Sequence, residues 1–181
     1  IDESCSGCTD PLANNYNEGC YDVGSDDAID CSIDDGSCVS DSGPAAFQFN
    51  QSSEQAFYYI QSLKINETPL EPEDWLGAFK DLDGDGIGDV CVGARKWDIS
   101  QCNNEICDIA LMGVSYNWNM EVIPGTETYM ENGDIPVFKV YDQSENNFYD
   151  AQVLNSDGYD FAATDFPWSL NGLHVIPNAN V

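Results

Sequence analysis

Along this chain, hydrophobic and polar residues alternate in short runs, and nowhere do apolar positions recur with a sustained helical period. Phe47-Gln48-Phe49-Asn50 alternates, and Ala56–Ile65 is aromatic and β-branched, the composition of a half-buried strand. Trp75–Phe79 and Val90–Arg95 read the same way. Asp134–Tyr141 and Asn147–Val153 flank the turn-forming run Asp142-Gln143-Ser144-Glu145-Asn146 and predict a hairpin. His174–Pro177 supplies a short last strand. Short strands separated by Gly, Asn and Asp turns predict a mainly β fold, an antiparallel β-sandwich, over residues 47–181.

Residues 1–40 have another texture. Cys5, Cys8, Cys20, Cys31 and Cys38 punctuate a stretch with few aliphatic residues. Such a segment cannot bury a core, so cross-links or ions must hold it. The reading is a small disulfide-rich N-terminal module, joined through a linker at 41–46 that contains Gly43 and Pro44.

Composition narrows the partners. Of 181 residues, 42% are hydrophobic and 12% aromatic, enough to fill a real core. Thirty-three acids stand against five bases, a net charge of −28. Nucleic acid is excluded as a partner, because its phosphates would meet repulsion in place of neutralising Lys and Arg. An anionic membrane surface is excluded on the same ground. No apolar run approaches the ~20 residues of a membrane span, so no membrane insertion is expected. No leader segment is recognisable, which reads as a mature chain. Eight cysteines and one histidine argue against zinc chemistry. With the sequons Asn50-Gln51-Ser52 and Asn66-Glu67-Thr68 as glycosylation candidates, they favour an oxidising, extracellular setting.

The most informative stretch is Asp81-Leu82-Asp83-Gly84-Asp85-Gly86-Ile87-Gly88-Asp89. Asp81, Asp83, Asp85 and Asp89 occupy positions one, three, five and nine of a calcium loop, the Ile87 carbonyl position seven, and Gly86 the sharp turn at six. Hard oxygen donors in that order suit a hard cation, and calcium is the expected cofactor. Position twelve, where a helix-loop-helix sensor has a bidentate Glu, is Val92, and both flanks read as strands. The loop resembles the DxDxDG loops of dockerin and thrombospondin-type repeats, and that resemblance implies a structural clamp between two strands. The alternative is an acidic hairpin tip that stays solvated. Asp10, Asn15 and Asp35 offer a second metal site, against the simpler role of Asx residues in turns.

For the cysteines the expected nesting is Cys8–Cys38 around Cys20–Cys31, with Cys102–Cys107 stapling a loop in the sandwich. Cys5 and Cys91 remain; they either bridge the two halves, within a chain or between neighbours, or Cys91 is a buried free thiol.

Two stretches carry a family resemblance. Gly7-Cys8-Thr9-Asp10-Pro11-Leu12-Ala13-Asn14-Asn15-Tyr16-Asn17, closing at Asp34-Asp35-Gly36-Ser37-Cys38, resembles the GCTDPxAxNYN…DDGSC module of large secreted or surface proteins of aquatic bacteria. That module usually has only the two outer cysteines, so Cys20 and Cys31 form an insertion, which supports pairing them with each other. Asp74-Trp75-Leu76-Gly77-Ala78-Phe79 and Gly88-Asp89-Val90-Cys91-Val92-Gly93-Ala94-Arg95-Lys96-Trp97 resemble the DWIGAF…GDVCVGAR.W β-domains of the same class. The resemblance implies an extracellular, repeat-built context: tandem modules or subunits of surface fibres.

Catalytic signatures are lacking. His174 sits among Leu173, Val175 and Ile176 and reads as a satisfied strand histidine. No nucleophile elbow, zinc-protease helix or phosphate-cradling loop occurs. With so many acids, any chosen carboxylate pair is uninformative about glycoside hydrolysis. Trp118 and Trp168 lie in polar or turn-like surroundings and are candidate glycan-stacking rings, whereas Trp75 and Trp97 read as core. The expectation is a non-enzymatic, calcium-stabilised subunit of an extracellular filament or surface layer, a cell-surface appendage built from copies of itself. The alternative is a calcium-dependent adhesin or carbohydrate-binding module.

Overall fold

The computed structural model describes residues 43–102, 106–154 and 166–181. The chain divides into two units, Ile1–Pro44 and Ala45–Val181, and the fold below is that of the second. The expected N-terminal pairs Cys8–Cys38 and Cys20–Cys31, the partner of Cys5, and the second metal site at Asp10, Asn15 and Asp35 lie outside the described residues.

Among the described residues ten strands follow a 3-10 turn at Ala45–Phe47: β1 Gln55–Ile60, β2 Leu63–Ile65, β3 Thr68–Pro69, β4 Trp75–Lys80, β5 Val90–Lys96, β6 Cys107–Met112, β7 Val137–Asp142, β8 Asn147–Leu154, β9 Leu173–Ile176 and β10 Asn178–Asn180. They form a three-stranded sheet, β6-β1-β9, and a seven-stranded sheet, β3-β2-β10-β8-β7-β4-β5. The sandwich expected from the alternation is present. Among the described residues no helix is long and apolar enough to cross a membrane.

The alternation is visible in the burial. In β1 every second residue is buried (Ala56, Tyr58, Ile60), and Cys107, Ile109 and Leu111 of β6 face the same way. They meet Leu76, Ala78, Val92, Phe138 and Val140 of the larger sheet in one core. In β4 five successive residues are buried, because the outer face of its sheet is covered too. There Phe47, Trp75, Phe79, Cys91 and Tyr141 form a second cluster. This is why Phe47–Asn50 is not the strand its alternation predicts. The 3-10 turn swings Phe47 edge-on against Phe79, with ring centroids 5.5 Å apart.

Two pairings are parallel, so the sheets are mixed and not wholly antiparallel. The run Ala56–Ile65 is interrupted at Gln61-Ser62, where the chain leaves the smaller sheet as β1 and enters the larger as β2. Pro177 marks the same transfer between β9 and β10. Because β1 lies beside β9 and β2 beside β10, the two paths cross together, hydrogen-bonded through the switch by Gln61 N to Ile176 O (3.0 Å) and Ala179 N to Ser62 O (2.8 Å).

Candidate metal centre

Strands β4 and β5 form a hairpin whose tip is the acidic loop 81–89. Lys80 pairs with Val90 at its base, and Asp89 N donates to Lys80 O at 2.9 Å. Within the loop, aspartate side chains cap backbone amides. Asp81 Oδ1 accepts from Gly84 N (2.7 Å) and Asp83 N (3.2 Å), and Asp81 Oδ2 from Gly86 N (2.8 Å). Asp83 Oδ1 accepts from Asp85 N at 3.2 Å and Asp89 Oδ2 from Leu82 N at 2.7 Å. Gly84 and Gly86 make this winding accessible, with φ of 81° and 85°, where a side chain would be strained. The amides of Gly86 and Gly84, in that order of effect, hold the Asp81 carboxyl below the ordinary carboxylate range.

Asp81, Asp83 and Asp89 each offer a carboxylate oxygen within 4.8 Å of the others. Oxygens bound to one calcium at about 2.3–2.6 Å lie at most about 5 Å apart, so the set fits a single ion of that size. Asp85, expected as a fourth ligand, is not in this group; its Oδ1 accepts from Ile87 N at 2.7 Å. Ile87, whose carbonyl was the seventh-position candidate, is exposed. Electrostatics sharpen the picture. The chain's five bases are Lys64, Lys80, Arg95, Lys96 and Lys139, and each forms an ion pair with an acid outside the loop. Even Lys80, adjacent in sequence, reaches away to Asp134 at 2.8 Å. The three convergent carboxylates therefore have no Lys or Arg counter-ion.

Beside the loop lies an open groove of about 540 Å³, walled by Asp81 and Gly86 and floored by Pro136, Phe138, Ala151 and Val153. Sequence reasoning missed it, since its residues come from distant segments with no shared motif.

The two candidate glycan rings do not act together. Trp118 is 90% exposed at the tip of a loop braced by Asn117, whose Oδ1 accepts from Asn119 N and Glu121 N. Trp168 is the correction: it is 3% exposed, and its indole Nε1 donates to Leu111 O at 3.1 Å. Pro167 and Ser169 suggested a surface turn, but Gly113 leaves room for the ring, as a Cβ there would lie 2.5 Å from it. Trp75 and Trp97 are buried, as expected.

Cys102 and Cys107 are disulfide-bonded, with Cα atoms 4.8 Å apart. Cys91 is the buried free thiol, donating to Gly93 O, and burial pushes it up to about 11. His174 stacks on Tyr58 with ring centroids 4.5 Å apart. Contrary to expectation it is not satisfied, because its Nε2 is buried without a hydrogen-bond partner among the described residues. Comparison of the chain with protein-family models, with curated proteins and with solved structures finds no match.

Proposed function

We propose that this chain is a structural subunit of an extracellular assembly, stiffened by a calcium ion gripped in the β4–β5 loop. The convergence of Asp81, Asp83 and Asp89 without a Lys or Arg partner carries this reading. Three unscreened carboxylates this close repel one another, and a divalent cation turns that repulsion into a cross-link between the ends of β4 and β5. The chemistry is architectural: the oxygen donors of Asp81, Asp83 and Asp89 hold the ion.

Assembly from copies of the chain follows from the resemblance to surface-fibre domains. A head-to-tail contact that does not close generates a filament. At a net charge of −28 two copies repel unless cations intervene, so the same ion that clamps the loop favours association. The test is sedimentation and negative-stain microscopy of the full chain in calcium and in excess chelator. Calcium-dependent fibres support the reading; monodisperse particles in both conditions remove assembly from it.

A second reading, an adhesin or carbohydrate-binding module, is favoured by Trp118, a ring presented on a braced loop. Glycan-array binding abolished by Trp118→Ala, with no fibres, would select it.

A further inference from the structure

We propose that Asn66 is the residue through which this protein carries an N-linked glycan, and that Asn50, in the other sequon, carries none. An N-linked sugar needs a reachable side-chain amide, a free hydroxyl two residues on, and space for a bulky polar group. Only one of the two sequons meets all three in the fold.

Asn66 and Glu67 form the two-residue turn between β2 and β3, flanked by the pairs Ile65↔Thr68 and Lys64↔Pro69. Both have left-handed backbones, φ 48° and 66°, as the tight hairpin requires. Asn66, Glu67, Thr68 and Pro69 are all exposed, and β3 is the outermost strand of its sheet. The Asn66 backbone amide is used, donating to Val181 O at 3.3 Å. Its side-chain amide makes no hydrogen bond to the described residues, and the residue is exposed.

Asn50 is committed to the fold. Its Nδ2 donates to Gly125 O at 3.2 Å, and it sits 2.5 Å from the position a Cβ on Gly125 would take. Its backbone N donates to the Tyr129 hydroxyl. The sequon hydroxyl, Ser52 Oγ, is buried; it donates to Gly113 O at 2.7 Å and accepts from Glu54 N at 3.0 Å. Asn50 is itself exposed, but a sugar on it would have to displace the Nδ2–Gly125 O bond, and the Ser52 hydroxyl the sequon needs is already buried and bonded.

The step is a glycosyl transfer from a glycosyl diphosphate donor. The side-chain amide nitrogen of Asn66 bonds to the anomeric carbon, and that carbon's bond to the diphosphate oxygen breaks. The diphosphate leaves with the electron pair, and one amide proton passes to a base of the transferase. Asn also suits a left-handed turn position in its own right, so the test separates the two roles.

Peptide mapping by mass spectrometry of protein isolated from its source is expected to show a glycan mass on the peptide containing Asn66 and none on that containing Asn50. Thr68→Val keeps the asparagine and the strand but removes the acceptor hydroxyl, and Asn66→Gly keeps the turn but removes the amide. Each should lose the glycan mass completely while retaining the melting transition of the deglycosylated protein. An unmodified Asn66 in the source protein, or a glycan on Asn50, overturns the proposal. So does a glycan that survives Thr68→Val.

Discussion

Gly93 of β5 lies directly against the backbone of Ala110 in β6: a Cβ built on the glycine would come 2.2 Å from the Ala110 carbonyl oxygen. These strands belong to different sheets, so the contact closes one side of the sandwich backbone to backbone. Arg95, two residues on, seals the same seam, its Nη1 donating to Asp108 O at 2.9 Å and Asp108 Oδ1 at 2.7 Å. A carbonyl in a ladder cannot swing aside as a flexible side chain can. Gly93→Ala should therefore cost about 1–3 kcal/mol, the range for overpacking a close-packed interior. Chemical denaturation of the folded chain checks this, and an unchanged midpoint would mean the seam is looser than described.

The four tryptophans divide into one exposed ring and three buried ones, and the two that sequence context paired behave oppositely. Trp168→Ala removes a buried indole and orphans the Leu111 carbonyl, so a loss of about 3–5 kcal/mol is expected. Trp118→Ala deletes a ring that touches little, and its effect should stay within about 0.5 kcal/mol. Parallel urea titrations of the two variants measure both. Comparable losses would contradict the placement of Trp118 on the surface.

What was legible in the sequence was local. The alternation of Ala56, Tyr58 and Ile60, the turn run Asp142–Asn146 and the spacing of Asp81, Asp83 and Asp89 each act within a few residues, and the fold uses all three. Asp142 Oδ1, for instance, caps the amides of Ser144 and Glu145 at 2.9 and 3.0 Å, as the turn chemistry dictates. Features set by distant partners were not legible. Parallel pairing of β1 with β9 joins residues more than a hundred positions apart, and the buried Trp168 ring lies where a side chain on Gly113 would clash with it. Asp85 fits the ligand spacing, yet its carboxylate lies outside the convergent group, with Oδ1 accepting from Ile87 N. Spacing specifies which oxygens can converge; the path of the loop in three dimensions decides which do.

Calcium should raise the thermal stability of the full chain, and excess chelator should remove the gain. An ion that binds only the folded loop contributes about 2.7 kcal/mol when present at a hundred times its dissociation constant. Asp81→Asn with Asp83→Asn should abolish the calcium response. In metal-free buffer the same pair should itself lower stability somewhat, since the Gly84 and Gly86 amides lose the charged Asp81 acceptor they favour. Asp85→Asn should retain most of the response, because Asp85 lies outside the convergent group. Differential scanning calorimetry with and without calcium reads all of these. A melting curve indifferent to calcium and chelator would leave the loop as a solvated acidic tip.

His174 gives the chain a pH dependence whose sign is fixed by its surroundings. It stacks on Tyr58, meets the edge of Phe166, and has its Nε2 buried without a partner among the described residues. Burial therefore disfavours the imidazolium and holds the group below the ordinary histidine value of 6.5. Between the folded and unfolded values the unfolded chain binds the proton and the folded chain does not, so stability rises with pH there. The contribution is fully present above about pH 6.5 and is lost as pH falls through the lower folded value. Asp74 is the buried acid that competes for attention. Desolvation raises its pKa despite hydrogen bonds from Glu71 N and Gln143 N. A raised acid stabilises the fold as pH falls, the opposite sign, so it cannot imitate the histidine. Because His174 is the only histidine, His174→Phe should flatten the decline in stability below pH 6.5 while preserving the stack on Tyr58. It should also match or exceed the parent's stability at pH 6, since it removes a buried nitrogen with no partner. Equilibrium denaturation at half-unit pH steps measures the slope, and a decline of equal steepness in the variant would assign the effect to the carboxylates.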